Sequence, residues 1–254
     1  MFPGACYPQR KVYANAGDVP IAAVTISDGS ELERAHVVHT PDLPTSPLPE
    51  LRVFELDAGS ESLLQRFFEE NPLYFECVNG EPPQPTEAHE AIHGAIPAGW
   101  PYTKKWVIGY ADAQGSLVAM ANLVSDLLAP SVWHIGIFIV ATSRHGSGDA
   151  HLLYRSLESW ARSHGAQWLR LGVIQGNVRA ERFWERQRFI QTRVRSAVSM
   201  GKLTHTLRVM FKPLAGGSMA QYLALVERDR PESEAPKGES KRRATRRPRR
   251  PPRD

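Results

Sequence analysis

A glycine-rich turn between an apolar strand and a helix is the part of this sequence best suited to bind a charged ligand. The strand runs from Trp133 to Val140, and a helix follows the turn His145-Gly146-Ser147-Gly148-Asp149-Ala150. The first amides of a helix lack intrahelical acceptors, and the helix dipole adds positive potential there. Glycine also lets a ligand approach the backbone closely. The turn therefore predicts a phosphate-binding site, to which Arg144 and His145 can add positive charge.

Two other glycine motifs fit the same residues poorly. Ser147 stands between two glycines, but Gly-Ser-Gly is not the Gly-x-Ser-x-Gly elbow of serine hydrolases, and no partner set is evident. The turn also fails the pattern Gly-x-Gly-x-x-Gly, and no acidic residue follows at the distance that a dinucleotide site needs. The simpler alternative to a phosphate-binding site is a turn in which the glycines serve only to allow the backbone dihedral angles.

A second block of residues runs from Asn177 to Phe189 and contains Ala180, Phe183, Trp184 and Arg188. Together the two blocks resemble the signatures of the GCN5-related N-acetyltransferase (GNAT) superfamily. Residues 145–150 are similar to its Gln/Arg-x-x-Gly-x-Gly/Ala, with histidine at the first position. Residues 177–189 are similar to its Asn-x-x-Ala-x-x-Phe-Tyr-x-x-x-Gly-Phe, with tryptophan in place of tyrosine and arginine in place of glycine.

The resemblance implies an α/β fold, in which helices flank a mixed, mostly antiparallel sheet. The fourth and fifth strands would be parallel and splay apart at one end. The wedge between them would receive the pantetheine arm of acetyl-CoA, which can mimic a missing strand. The residues assigned to acetyl-CoA in this way are Phe138, Ile139 and Val140 for pantetheine, Arg144, His145, Gly146, Ser147, Gly148, Asp149 and Ala150 for the pyrophosphate, and Asn177, which also fits a helix cap.

Acetyl transfer to an amine needs a polarised thioester and a neutral amine, which a general base can provide. Many relatives carry a glutamate on the fourth strand for this purpose, but His134 is the only titratable side chain of the strand here. Histidine titrates near neutral pH and suits the role. A hydrogen-bonded structural histidine is the more common occurrence in an apolar strand. Asp126 and Glu76 are weaker candidates for the base.

The leaving thiolate raises a separate question, because tyrosine is the usual acid of the family and Trp184 has no ionisable hydroxyl. A thiol with a pKa of about 8.5 can depart as thiolate without an acid. We expect Trp184 either to pack on the thioester and cap the site or to belong to the core. Backbone amides at the end of the fourth strand could polarise the thioester carbonyl.

Local patterns predict the remaining elements. Alternation and turn signals indicate strands at residues 51–56, 105–111, 117–124, 167–174, 189–200 and 203–212. Apolar spacing indicates helices from Ser60 to the residues before Pro72, at 86–92, after the glycine turn, after Asn177 and at 219–226, with an irregular aromatic-rich piece at 71–75. In the family, the region between the first two strands shapes the acceptor pocket, which the loop 97–102 would help to line.

Composition places the chain among cytosolic globular proteins. The 254 residues are 42% hydrophobic, and no apolar run reaches the 18 residues of a membrane span. The N-terminus does not have the pattern of a signal peptide. Cys6 and Cys77 are too few for a disulfide framework or a zinc site, so a reducing compartment is expected. His89 and His93 lie four residues apart, but without a third ligand nearby they are interpreted as surface residues.

Charge is divided unevenly along the chain. Eight basic residues and one acidic residue in 241–254 give +7, which leaves −3 for residues 1–240 out of a total of +4. We expect residues 1–50 to be a poorly ordered extension and linker, 51–229 an acetyltransferase domain, and 230–254 a disordered basic tail. Such a tail could bind nucleic acid weakly through its charge.

The resemblance thus predicts an enzyme that transfers an acetyl group from acetyl-CoA to a primary amine of a small molecule or protein. Two alternatives from other classes stay open, a catalytically silent acyl-CoA-binding module and a nucleic-acid-binding protein that acts through the tail. A homodimer also stays open, and no membrane partner or metal is expected.

Overall fold

The computed structural model describes residues 43–231 of the chain, which contain a seven-stranded sheet and six α-helices. The strands are β1 (Arg52–Glu55), β2 (Lys105–Ala111), β3 (Leu117–Val124), β4 (Val132–Val140), β5 (Trp168–Ile174), β6 (Ile190–Met200) and β7 (Leu203–Pro213). The helices are α1 (Glu61–Glu70), α2 (Leu73–Asn79), α3 (Glu87–His93), α4 (Asp149–Ser163), α5 (Val178–Arg186) and α6 (Met219–Leu225). Short 3₁₀ helices lie at Ala58–Ser60, Thr142–Arg144 and Glu227–Asp229.

The strand order is β1-β2-β3-β4-β5-β7-β6, and every neighbouring pair is antiparallel except β4 and β5. The parallel pairing covers only Val132–His134 of β4 and Trp168–Arg170 of β5. Beyond it, β4 continues along β3 and β5 continues along β7. The mixed, mostly antiparallel sheet and the splay of its central parallel strands are therefore confirmed.

The two faces of the sheet are covered by different helices, because successive strand residues point to opposite faces. On one face, the largest core cluster joins α4 and α5 to the four central strands through Leu153, Leu157, Trp160 and Trp184. On the other face, α1, α2 and α3 pack on β2, β3 and β4. The same face carries α6 over β5 and β7. The splayed strands thus lie between two packed layers.

The sequence predicted an irregular piece at residues 71–75, whereas the structure has a helix at Leu73–Asn79. This helix, α2, begins after Pro72 and ends at Asn79, and the next residue, Gly80, adopts a left-handed conformation with φ 74°. Phe75 is buried and meets Phe68 of α1 edge-on, with ring centroids 4.8 Å apart. Tertiary packing of this aromatic side therefore stabilises a helix that is too short to be evident from periodicity.

The domain boundary at residue 50 stays a prediction, although the chain already packs against the domain from residue 43 onwards. Leu43 and Leu48 contact the largest core cluster, and the Ser156 hydroxyl of α4 donates to the Thr45 carbonyl. The remaining residues of the predicted N-terminal extension and almost all of the predicted basic tail lie outside the described residues. None of the helices within 43–231 has the length and apolarity that crossing a membrane demands.

Candidate functional site

A cleft opens where β4 and β5 part, beyond His134 and Arg170. The amide of Ala141 donates to the Val118 carbonyl of β3. Peptide groups alternate in direction along a strand, so those of Phe138 and Val140 point to the other edge of β4, towards the cleft. The peptide groups of Ile139 point towards β3, and its side chain is buried. An extended ligand in the cleft can therefore pair with Phe138 and Val140.

A β-bulge interrupts β4 close to the point where the strands part. Asn122 is aligned with Ile137 and Leu123 with Ile135, so Gly136 has no partner residue on β3. A Cβ atom at Gly136 would lie 3.3 Å from the Asn122 carboxamide oxygen. That oxygen is buried and accepts no hydrogen bond from any of residues 43–231. Bulges change the direction of backbone groups. This bulge leaves Gly136 without a partner on β3, next to the Asn122 oxygen that has no donor among residues 43–231.

The turn before α4 presents unpaired amides at the open end of the cleft. Gly146 and Gly148 have φ angles of 89° and 96°, and the Ser147 hydroxyl accepts from the Asp149 amide at 3.1 Å. Among residues 43–231, the amides of Gly146, Gly148 and Ala150 have no acceptor. Three unpaired donors at the positive end of a 15-residue helix favour an anionic ligand.

His145 connects the two sides of the open end. Its Nε2 atom donates to the Val140 carbonyl at 3.0 Å, so Nδ1 accepts from the Arg179 guanidinium of α5 at 2.6 Å. Arg179 therefore brings a positive charge from α5 to the turn that precedes α4. This bond spans the entrance between the end of β4 and the helix after β5.

Arg144 makes a smaller contribution of charge than the sequence suggests. Its guanidinium lies 2.8 Å from a carboxylate oxygen of Asp149 and 3.4 Å from one of Glu50. The hydrogen bond from Arg144 lowers the pKa of the Asp149 carboxyl. The two carboxylates thus offset the charge of Arg144. Arg179 adds net positive potential at the unpaired amides of the turn.

Comparison with known proteins identifies the family of this domain. The family model described as the acetyltransferase (GNAT) family matches residues 64–189. The chain contains a GNAT-family domain. The match contains both glycines of the turn, the splayed strands and the block that begins with Asn177, so the family predicted from sequence is confirmed. GNAT proteins are acetyltransferases, and this chain is accordingly an enzyme of that class.

Solved structures show the same fold at low sequence identity. An acetyltransferase from Thermus thermophilus is 18% identical with a TM-score of 0.50, and the match covers 65% of this chain and 97% of the other. A GCN5-related N-acetyltransferase from Kribbella flavida is 21% identical with a TM-score of 0.50, covering 65% and 98%. A spermidine N-acetyltransferase from Vibrio cholerae, solved with CoA and spermine, is 15% identical with a TM-score of 0.50, covering 65% and 95%. No curated protein matches the chain.

The GNAT domain places His134 at the base of the cleft, in an environment that opposes a general base. Its Nδ1 atom donates to the Arg170 carbonyl at 3.1 Å, and the Arg170 guanidinium is 3.3 Å from the same atom. Burial and the adjacent guanidinium lower the pKa of His134 to about 3. The imidazole is therefore neutral but weakly basic. The base role of His134 stays a prediction, and this environment disfavours it.

Trp184 is a core residue of the GNAT domain, with 8% of its surface exposed. Its ring centroid lies 4.8 Å from that of Phe183, 5.3 Å from that of Phe189 and 6.0 Å from that of Phe138. Phe138 belongs to β4 at the cleft, so this aromatic cluster forms one wall of the site. The packing corresponds to the core alternative, and a contact of Trp184 with the thioester stays a prediction.

Asn177 caps α5, because its side-chain oxygen accepts from the Ala180 amide at 3.2 Å. Its side-chain nitrogen donates to the thiol of Cys77 on α2 at 3.3 Å, which ties α5 to the opposite layer. The cap agrees with one of the two roles predicted for Asn177, whereas cofactor contact is untested. A carboxylate oxygen of Asp126 accepts a hydrogen bond from the Ser131 amide at 2.7 Å, so Asp126 stabilises the loop before β4.

Several groups of the GNAT site were missed by sequence reasoning. Arg179 could have been found, since a cation in the first turn of a helix opposes the dipole and calls for an anionic neighbour. Asn122 and Gly136 gave no local signal, because their proximity depends on the register of β3 and β4. Lys105 was also missed, although it begins β2, two strands from β4. It donates to the Gly94 carbonyl at 2.8 Å, and burial lowers its pKa to about 8.

The loop 97–102 lies near the N-terminal end of β4, where β4 and β5 are paired, and so away from the glycine turn. Its Pro101 carbonyl accepts from the Leu128 amide, and the Arg228 guanidinium lies 4.5 Å from the centroid of the Trp100 ring. These contacts place the loop beside the segment before β4 and beside the C-terminal 3₁₀ helix. Its role in lining an acceptor pocket stays a prediction.

Proposed function

We propose that this enzyme transfers an acetyl group from acetyl-CoA directly to a primary amine of a small molecule or protein. The observation that carries the proposal is the set of unpaired amides of Gly146, Gly148 and Ala150 at the open end of the β4–β5 cleft. The diphosphate of acetyl-CoA would bind these amides and Arg179. Its pantetheine arm would then lie along Phe138 and Val140, with the thioester pointing towards the bulge at Gly136.

In this arrangement the amine nitrogen attacks the thioester carbonyl carbon, and the carbonyl oxygen becomes an oxyanion. Backbone amides of β4 near the bulge are suited to stabilise that oxygen, since strand amides hold a fixed direction in a low-dielectric site. The carbon–sulfur bond then breaks, and CoA departs as a thiolate. The amine loses one proton, so the products are an amide, CoA and a proton.

The amine must be neutral before it attacks. An alkylammonium with a pKa of about 10.4 is neutral in fewer than about one molecule in a thousand at pH 7. A neighbouring group, or an apolar pocket that lowers the pKa of the amine, must therefore assist. His134 is a weak base in its present environment, whereas Lys105 titrates close to neutral pH and faces the layer that contains α3. By its pKa Lys105 is the better-matched candidate for accepting the proton, although it begins β2, two strands from β4.

A pair of substitutions at Ser147 tests the placement of the diphosphate. Ser147→Asp keeps an acceptor for the Asp149 amide but adds a carboxylate to the proposed diphosphate-binding site. At about 5 Å from a phosphate, and with an effective dielectric constant of about 20, that repulsion costs about 3 kcal/mol before screening. We expect Ser147→Asp to weaken CoA binding at least tenfold. The isosteric control Ser147→Asn keeps an acceptor and a donor and should bind within about threefold of the native protein.

The Ser147 pair separates binding from folding, because an acidic residue next to a helix N-terminus stabilises the helix. Ser147→Asp should therefore keep or raise the midpoint of thermal unfolding while its CoA affinity falls. Calorimetric titration with CoA measures the affinity. Equal CoA affinities for the two variants would show that the diphosphate binds elsewhere. Gly148 is less suitable for this test, since its φ of 96° would strain any side chain.

Turnover is tested with acetyl-CoA and a panel of primary amines, with released thiol as the readout and acetylated product identified by mass. The proposal expects thiol release that requires both substrates and that is slower in Ser147→Asp than in Ser147→Asn. Tight CoA binding without turnover of any amine would contradict catalysis and would favour a silent acyl-CoA-binding module.

A further inference from the structure

A cluster of two histidines and one glutamate joins α1 to α3 on the protein surface. The Glu61 carboxylate oxygen Oε1 lies 3.2 Å from His89 Nδ1 and 2.8 Å from His93 Nε2. All three ligand atoms fall within 4.8 Å of one another, and the two imidazole centroids are 4.7 Å apart. The sequence alone offered His89 and His93 without a third ligand. The structure supplies it from a residue 28 positions before His89.

The helices that carry the three residues are held in place by other contacts. Gln65 of α1 accepts from the Ala88 amide of α3 at 3.2 Å, and its amide nitrogen donates to the Gln84 carbonyl at 3.1 Å. Beneath them, Leu64, Ala88 and Ala91 are buried in one core cluster. The three side chains therefore converge on a frame that exists before any ion binds, which lowers the entropic cost of binding.

The donor set matches the preferences of zinc. His89 and His93 belong to the pattern His-Glu-x-x-His, which places two imidazoles on one face of a helix. Two imidazole nitrogens and one carboxylate oxygen with a fourth position for water make a tetrahedral Zn²⁺ site, with bonds of about 2.0–2.1 Å. A tetrahedron with such bonds has edges of about 3.3 Å. The two distances from Glu61, 3.2 and 2.8 Å, need to change by only a few tenths of an ångström.

We propose that Glu61, His89 and His93 bind one Zn²⁺ ion, which joins α1 to α3. His89 contributes Nδ1, His93 contributes Nε2 and Glu61 contributes a carboxylate oxygen. The side chains are 60%, 40% and 35% exposed, respectively, so solvent reaches the fourth coordination position. The ion lies in the layer that reaches the cleft, since the Ala91 carbonyl of α3 accepts from the Asn122 side chain beside the bulge.

The test uses the full-length chain without an affinity tag, stripped of metal with a chelator. Titration with Zn²⁺ against a chromogenic chelator should give one tight site per chain. Glu61→Gln and His93→Gln should each weaken that site at least tenfold, because each removes one of three protein ligands. Glu90→Gln removes the same charge as Glu61→Gln, but from α3, the helix of His89 and His93, and without removing a ligand. The zinc affinity of this variant should equal that of the native chain.

Cobalt supplies a second readout that depends on coordination rather than on stability. Co²⁺ in the native chain should give the visible absorption of a low-symmetry, nitrogen- and oxygen-ligated site, and this absorption should disappear in both ligand variants. The three side chains are solvent-accessible, so the variants should fold with unchanged far-ultraviolet circular dichroism. Zinc affinity in Glu61→Gln and His93→Gln equal to that of the native chain, or no tight site in the native chain, would overturn the proposal.

Discussion

At the scale of single residues, His134 shows how neighbours decide what a titratable group can do. In an apolar strand it is a natural candidate for a base, since a free imidazole titrates near neutral pH. In the folded chain its Nδ1 atom is committed to the Arg170 carbonyl, and the Arg170 guanidinium is adjacent. Both burial and that positive charge oppose a second proton. The imidazole therefore stays neutral wherever the domain is folded above a pH of about 3.

The protonation of His134 predicts an acid-dependent loss of stability. The unfolded chain takes up a proton at His134 near pH 6.5, whereas the folded chain does so only near pH 3. The contribution of His134 to the free energy of unfolding is therefore fully present above about pH 6.5. It is lost as the pH falls towards 3, at up to about 1.4 kcal/mol per pH unit. Between pH 7 and 5, the native chain should lose about 1–2 kcal/mol more free energy of unfolding than His134→Asn.

Urea unfolding at several pH values measures this difference, and asparagine is chosen because its amide can still donate to the Arg170 carbonyl. Parallel pH profiles for the two proteins would contradict the assignment of a lowered pKa. The same variant tests catalysis. A base contributes about 10²–10⁴-fold to rate, so a turnover within about threefold of native would exclude His134 from that role.

At the scale of elements, the segment after β7 completes the fold through a buried ion pair. Asp229, in the 3₁₀ helix after α6, accepts two hydrogen bonds from Arg170 of β5, at 2.7 and 2.8 Å. The Tyr222 hydroxyl of α6 donates to the same carboxylate at 2.6 Å. Arg170 and Asp229 are 3% and 1% exposed. Burial would raise the pKa of Asp229, but pairing with Arg170 outweighs it and lowers that pKa.

Asp229→Asn should therefore destabilise the domain strongly, because it leaves the Arg170 charge buried without a counter-charge. Breaking a buried pair in this way costs about 3–5 kcal/mol. Glu227→Gln is the matched control, two residues away, where an exposed carboxylate lies 3.2 Å from Arg230. Its cost should stay below about 1 kcal/mol. Denaturant unfolding measures both, and equal losses for the two variants would show that Asp229 does not anchor α6.

At the scale of the whole molecule, the proposed acetyl-CoA site draws on both halves of the sheet. The glycine turn follows β4, which is paired with β3, while Asn177 and Arg179 follow β5, which is paired with β7. The parallel pairing that joins the halves covers only three residues on each strand. A ligand that contacts both sides of the cleft therefore links two halves that the sheet itself connects weakly. Ligand binding should then stabilise the domain as a whole.

Thermal unfolding with CoA tests this linkage. A ligand at 100 times its dissociation constant adds about 2.7 kcal/mol to the stability of the folded state. For a domain of 150–250 residues, each kcal/mol shifts the midpoint by about 2–4 °C, so the expected rise is about 5–11 °C. Adenosine, which lacks the diphosphate and the pantetheine arm, is the control and should give little shift. Equal shifts with CoA and adenosine would contradict binding along the cleft.

The sequence by itself determined most of the local structure and the family. The bounds predicted for β2 and β3 agree with the observed Lys105–Ala111 and Leu117–Val124, because alternation and a turn signal are local properties. The two blocks that resemble GNAT signatures were also readable, since each is contiguous. The splay of β4 and β5 followed from that resemblance. The strand patterns themselves do not show which edges stay unpaired.

Only the tertiary structure decided which distant side chains meet. Glu61 reaches His89 and His93 because α1 and α3 share one layer, and Asp229 reaches Arg170 because α6 folds back over β5. The neutral state of His134, the pairing of Arg144 with Glu50 and the bond from Arg179 to His145 have the same origin. Such contacts join residues far apart in the chain, and their energies depend on burial and distance, which no local pattern specifies.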